Sequence, residues 1–356
     1  MRSAVVLAAA ALLVPAAGHA PAATPCTTPT APCERWVTLG GGPARSMAYA
    51  TYPLDVPNAR ITRAFILVHG TGRNADHYFE TATAAAFLAG ALDNTVVIAP
   101  HLIDEADKPA ANEVVWPNRG DSWRSGGMSP SNPTLSAFDL ADQILRTLAN
   151  KKTFPHLTQI VVAGHSAGGQ FVTRYEMSNK VHDALAAAGV RVTYVVANPS
   201  TYAWPAAVRP LPTGDADPTT ADKEPLGREG EKVHTNYSYG PFDSTKVPAY
   251  DRWPAGLVAR GGYTAGLSDD QLRKQLASRP TTYLLGQVDV LPLGGFDASP
   301  VAMTQGPTRR ARGEAFVKYI TEQLGAKPNV MIVPECGHND RCIFTTSEVL
   351  PIIFPK

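Results

Sequence analysis

The chain of 356 residues predicts an α/β protein, with a mostly parallel central sheet, helices on both faces and a cap or lid inserted between two strands. Three observations carry this expectation. Short apolar runs of strand length alternate with helix-length segments, the pattern of βαβ units whose right-handed crossovers put helices on both faces. The runs are continuously apolar rather than alternating, as in strands buried on both sides. Between about residues 205 and 280 the alternation fails in a stretch rich in Pro, Gly, Asp and Thr. That stretch is too long for an ordinary loop in a compact domain.

The elements follow in order. Arg35 to Gly40 and Ser46 to Tyr52 read as two strands joined by Gly41-Gly42-Pro43, an antiparallel start to the sheet. Ala64 to Val68 is the first buried strand and runs into His69-Gly70, and Ala75 to Leu92 is an Ala-rich helix-length segment. Thr95 to Ala99 is a second buried strand, followed by a loop over about 104–132 and a helical repeat from Leu135 to Leu148. Gln159 to Ala163 is a third strand, with a helix from Gln170 to Met177, and Val192 to Ala197 is a fourth. The cap follows, with a short helix near Ser268 to Leu276 and the aromatics Tyr237, Tyr239, Phe242, Tyr250 and Trp253 to order it. Thr282 to Leu285 and Val330 to Val333 are the last strands, separated by a helix from about Arg309 to Leu324.

The first residues stand outside this fold. Arg2, the apolar run Ala4 to Leu13 and the small residues after it read as a secretory signal peptide over residues 1–22. Cleavage is expected after Ala22, since cleavage after Ala20 would leave Pro21 at the new N-terminus. The mature domain is then 23–356, secreted or periplasmic. No later stretch is long and apolar enough for a membrane helix, so no stable membrane anchor is expected. Loss of Arg2 brings the 32 basic residues level with the 31 acidic ones. A balance near zero argues against nucleic acid as a partner. The four cysteines form two close pairs, Cys26 with Cys33 and Cys336 with Cys342, each able to close a small disulfide loop in an oxidising compartment. Their spacing is unlike that of zinc sites. His338, between the second pair, has a better use, so no metal is expected.

The sharpest local signal is Gly164-His165-Ser166-Ala167-Gly168, followed by Gly169. The pattern G-x-S-x-G is short, but here a strand precedes it and a helix follows. A tight strand–turn–helix elbow forces the serine into a strained conformation and lifts its hydroxyl clear of the sheet. With this motif in this context the chain resembles the α/β-hydrolase superfamily, in particular its serine esterases and lipases. The resemblance runs from about Arg35 to the C-terminus, apart from the insertion.

The resemblance implies a triad in the order nucleophile, acid, histidine. Ser166 is the nucleophile. Asp289 fills the acid slot just past Tyr283-Leu284-Leu285-Gly286, with Asp297 as the alternative. His338 fills the base slot, in Cys336-Gly337-His338 after the last strand. A Cys336–Cys342 bridge would hold the loop carrying this imidazole within reach of its partners. The resemblance also implies an oxyanion hole from the backbone N–H of Ala167 and one from His69-Gly70-Thr71-Gly72-Arg73. Thr71 is the expected second donor, with Gly70 and Gly72 as neighbours, although the loop departs from the multi-glycine lipase version.

Trp116 and Trp123, in the loop after the second parallel strand, and Tyr202 and Trp204, after the fourth, lie toward the carboxyl ends of strands, where ligands bind in open α/β sheets. They are the expected lining of an apolar acyl pocket. The expected activity is hydrolysis of a soluble or polymeric carboxylic ester by a monomer, without cofactor. A peptidase or amidase using the same triad is the alternative. A non-catalytic binding protein of this type is a third reading, but such proteins lack a triad member and none is missing here. Ser166 excludes a dehalogenase mechanism, which needs an acid at that position, and a haloperoxidase-like side activity stays open.

Overall fold

The computed structural model describes residues 24–212 and 237–355. The expected signal peptide lies outside the described residues, as does the middle of the insertion. In chain order the elements are β1 (Glu34–Thr38), β2 (Arg45–Ala50), β3 (Arg63–Val68), α1 (Ala75–Leu88), β4 (Thr95–Pro100), α2 (Ala137–Leu148) and β5 (Gln159–His165). Next come α3 (Ala167–Ser178), α4 (His182–Ala187), β6 (Arg191–Ala197), β7 (Val208–Pro212), β8 (Tyr237–Pro241), α5 (Asp269–Ser278) and β9 (Thr281–Gly286). The chain closes with α6 (Pro300–Met303), α7 (Arg309–Leu324), β10 (Asn329–Val333), α8 (Asp340–Thr345) and α9 (Leu350–Ile353).

Eight strands form one sheet in the order β1-β2-β4-β3-β5-β6-β9-β10. β1 pairs antiparallel with β2 and β2 antiparallel with β4, while every pairing from β4 through β10 is parallel. Because side chains alternate across a strand, each buried strand feeds two cores. Ala64, Ile66 and Val68 of β3 join the core under α2, α3 and α7. Phe65 and Leu67 join the other, packed by α1, α8 and α9. This double burial is why the strands read as unbroken apolar runs.

Two helix boundaries differ most from the sequence reading, while the strand ends shift by a residue or two. Helix α1 stops at Leu88, because Gly90 takes φ +65° and turns the chain out of the helix. Helix α3 starts at Ala167, directly after the motif serine, rather than at Gln170. Polar side chains define two other starts: Ser136 and Asp139 form a capping box on α2, and Ser268 and Gln271 do so on α5.

In the stretch between β6 and β9, β7 and β8 pair antiparallel as a separate ribbon, and residues 213–236 between them lie outside the described residues. The described part packs on the body. Tyr239 lies against Trp204 and Tyr319, with ring centroids 6.0 and 5.0 Å away. Buried Arg209 donates to Thr304 Oγ1 at 3.0 Å and to the carbonyls of Tyr250 and Ala255. Trp253 Nε1 donates to the Ser125 carbonyl at 3.2 Å.

Under α3 sits a fully buried carboxyl. Glu176 accepts from Thr281 Oγ1 at 2.7 Å and from Tyr283 Oη at 2.8 Å, and burial pushes its pKa up to about 8. A value raised on folding contributes stability that is full below the unfolded value of roughly 4.3 and is lost as pH rises through about 8. Glu176→Gln is therefore expected to flatten the fall in melting temperature between about pH 5 and pH 9, by several degrees at the alkaline end. Thermal melts of both proteins across that range check this; parallel curves would contradict it.

Candidate active site

The motif serine stands where β5 becomes α3. Ser166 has φ 58° and ψ −117°, outside both helix and strand regions, and its N–H donates to the Ala197 carbonyl at 3.0 Å. The flanking glycines are steric necessities. A Cβ on Gly164 would lie 2.2 Å from the Gly168 carbonyl oxygen, and one on Gly168 would lie 2.1 Å from the Val68 carbonyl oxygen. Both distances are far inside van der Waals contact, so only hydrogen fits between strand and helix.

Three residues far apart in sequence meet at this elbow. His338, in the loop between β10 and α8, places Nε2 2.9 Å from Ser166 Oγ and Nδ1 2.9 Å from Asp289 Oδ2. Asp289, just past β9, is 2% exposed, whereas Ser166 keeps 9%. A carboxylate at Nδ1 requires that nitrogen to carry the proton, which leaves Nε2 as the acceptor facing the serine hydroxyl. The arrangement can therefore take a proton from Ser166 while the hydroxyl attacks. The carboxylate bonded to His338 Nδ1 is that of Asp289, whereas Asp297, the alternative acid, has its Oδ1 accepting from the Ser299 N–H at 2.9 Å.

Two devices fix His338. Cys336 and Cys342 are joined, with Cα atoms 5.7 Å apart, so His338 sits inside a small covalent ring and is not flanked by thiolates. Cys26 and Cys33 form the other expected bridge. Asn198, held at φ 45° after β6, accepts from the Gly286 N–H at 2.7 Å and donates to the Gly337 carbonyl at 3.1 Å. It thus ties the strand before Asp289 to the loop that carries His338. Nothing in the sequence singled it out.

The loop after β3 comes over the serine: a Cβ on Gly70 would be 3.7 Å from Ser166 Cβ. His69 sets its backbone. The Leu102 N–H donates to His69 Nε2 at 3.0 Å, so Nδ1 carries the proton and donates to the Gly70 carbonyl at 2.9 Å. Burial pushes His69 down to about 3, which keeps it neutral. In a trans peptide the N–H points opposite to the C=O. The Thr71 N–H is therefore turned away from the His69 ring, and neither it nor the Ala167 N–H meets a backbone acceptor among the described residues. The Thr71 side chain accepts from Arg124 Nη2 at 2.9 Å.

A second histidine, unmarked by the sequence reading except as the motif's variable residue, backs the first. His165 lies against His338 with ring centroids 4.6 Å apart and planes tilted by 38°, and a hydrogen bond joins its Nδ1 to Tyr78 Oη at 3.0 Å. Burial pushes His165 well below its ordinary value, so it stays uncharged beside the base.

The four aromatics expected in the acyl pocket are not on an open surface. Trp116, Trp123, Tyr202 and Trp204 are each 0% exposed and belong to the core. Trp123 lies 5.1 Å from the His69 ring, Tyr202 stacks 4.4 Å from Phe316, and Trp204 is 5.1 Å from Tyr319. They support the loops from beneath. Among the described residues, apolar side chains open to solvent near the site include Leu291 and Leu293, at 38% and 62% exposure, in the loop after Asp289.

Comparison with known proteins agrees with this architecture. The Alpha/beta hydrolase family model matches residues 65–349, and the chain belongs to that family. No curated protein matches the chain. Among solved structures it is similar to a poly(3-hydroxybutyrate) depolymerase from Bordetella parapertussis, with 21% identity, 88% of this chain and 89% of that one covered, and a TM-score of 0.56. It is also similar to poly(aspartic acid) hydrolase-1 from Sphingomonas sp. KT-1, with 21% identity, 90% and 97% covered, and a TM-score of 0.58. At that identity both likenesses are likenesses of fold. Among the described residues no helix is long and apolar enough to cross a membrane.

Proposed function

We propose that this chain is an exported serine hydrolase that cleaves carboxylic esters through an acyl-enzyme. The observation that carries the reading is His338 held 2.9 Å from both Ser166 Oγ and Asp289 Oδ2. In this mechanism His338 Nε2 takes the hydroxyl proton as Ser166 Oγ attacks the carbonyl carbon. Asp289 holds the ring and stabilises the imidazolium. The N–H groups of Ala167 and Thr71 receive the negative charge that develops on the carbonyl oxygen. His338 then returns the proton to the leaving alcohol, and water repeats the sequence on the ester of Ser166. Export rests on the N-terminal signal and agrees with the two disulfides. The exposed Leu291 and Leu293 favour a substrate with an apolar body.

The test is turnover of p-nitrophenyl esters from acetate to palmitate, with p-nitroanilides of the same acids alongside, by oxidised protein 23–356. Ester cleavage with little anilide cleavage is expected. Anilide cleavage at comparable rates would move the assignment to an amidase. If nothing turned over and a fluorophosphonate left Ser166 unlabelled, the catalytic reading would fall.

A further inference from the structure

The base and its acid are joined to the rest of the site by one guanidinium. Arg309, the first residue of α7, is buried and reaches three segments at once. Its Nη1 donates to Asp289 Oδ1 at 3.2 Å, its Nε to Ser200 Oγ at 3.2 Å, and its Nη2 to the carbonyls of Leu293 and Gly294 at 2.8 and 2.9 Å. The two oxygens of Asp289 are thereby divided, Oδ2 to His338 and Oδ1 to Arg309. The loop it holds lies across the site. A Cβ on Gly294 would be 3.2 Å from His338 Cδ2, and one on Gly295 would be 3.8 Å from Thr71 Cγ2. Arg309 and Arg312 also sit over the Phe296 ring, 5.4 and 4.6 Å from its centroid, and Arg312 Nη2 donates to the Asp297 carbonyl at 2.9 Å.

We propose that Arg309 is a positioning residue that aligns Asp289 with His338 only while the loop 291–296 is seated beside the base. The inference rests on the triad reading above. Arg309 touches neither the serine nor the histidine, so it acts through the acid and the loop. Without it, Asp289 Oδ1 loses its buried cationic donor and the carboxylate is free to turn away from Nδ1. The Leu293 and Gly294 carbonyls lose their shared anchor in the same step. A planar fork can serve these acceptors together, whereas a lysine ammonium is a point donor that reaches only part of the set.

The experiment compares Arg309→Ala and Arg309→Lys with the native protein on p-nitrophenyl butyrate, with melts and with millimolar guanidinium added to each. Misplacing a catalytic group by about an ångström costs on the order of 10²-fold, so Arg309→Ala is expected to lose roughly that factor in kcat, with KM moving less than about threefold. Arg309→Lys is expected to recover part of the loss, and free guanidinium to restore Arg309→Ala. Native-like kcat in Arg309→Ala overturns the proposal. So does a loss in folded protein that neither lysine nor guanidinium relieves. Failure of the triad reading would show differently, as activity surviving Ser166→Ala.

Discussion

Ser166→Ala is expected to lower kcat on p-nitrophenyl esters by on the order of 10⁶-fold, with the melting temperature little changed. The size follows from what is removed. No other hydroxyl is described within hydrogen-bond distance of His338 Nε2, so the base would have nothing to activate but water. A residual acceleration of about 10³-fold over uncatalysed hydrolysis is expected, from oxyanion donors at Ala167 and Thr71 and from substrate binding. Because nucleophile and base act as one unit, adding His338→Ala to Ser166→Ala should cost almost nothing further. Steady-state rates with freshly purified single and double variants decide this. A fall of less than about a hundredfold would remove Ser166 from the role assigned to it.

Asp289→Asn is expected to cost about 10⁴-fold in kcat while leaving the protein folded. Here the surroundings determine which way the new amide faces. Arg309 Nη1 donates to Oδ1, so the amide oxygen must stay on that side, and the NH₂ group is presented to His338 Nδ1. A donor at Nδ1 forces the ring into the opposite tautomer, with the proton on Nε2. That nitrogen can then no longer accept from Ser166 Oγ, 2.9 Å away. Kinetics with a matched melt test the point, and a loss under tenfold would show that the imidazole does not depend on Asp289 for its tautomer.

Much of this was legible because it is local. Strands buried on both faces write themselves as unbroken apolar runs, as in Ala64 to Val68, and the elbow writes itself as glycines around a serine. Asp289 and His338 stand just past strand ends, where order along the chain is informative. What stayed hidden depends on partners distant in sequence. Arg309 and Asn198 look like any residue at a helix start or strand end, and only the packing of β6, β9 and β10 gives them their contacts. Likewise, position in a loop tells where Trp116, Trp123, Tyr202 and Trp204 begin but not which way they point, and all four turn inward. The end of α1 was readable in Gly90, whose left-handed φ closes a helix that the Ala-rich composition would have carried further.

The backbone of Ser166 sets durability against reactivity at a single position. Its φ of 58° and ψ of −117° form a combination that a side chain disfavours and glycine accepts, at a cost of order 1–3 kcal/mol. The fold would be more robust there with glycine, which has no hydroxyl to offer. The molecule as it stands gives up a measurable fraction of its margin against unfolding to hold an oxygen atom where chemistry can use it. A selection for heat resistance alone would therefore be expected to erode the site at this residue, whereas stabilising changes in the two cores on either face of the sheet carry no such conflict.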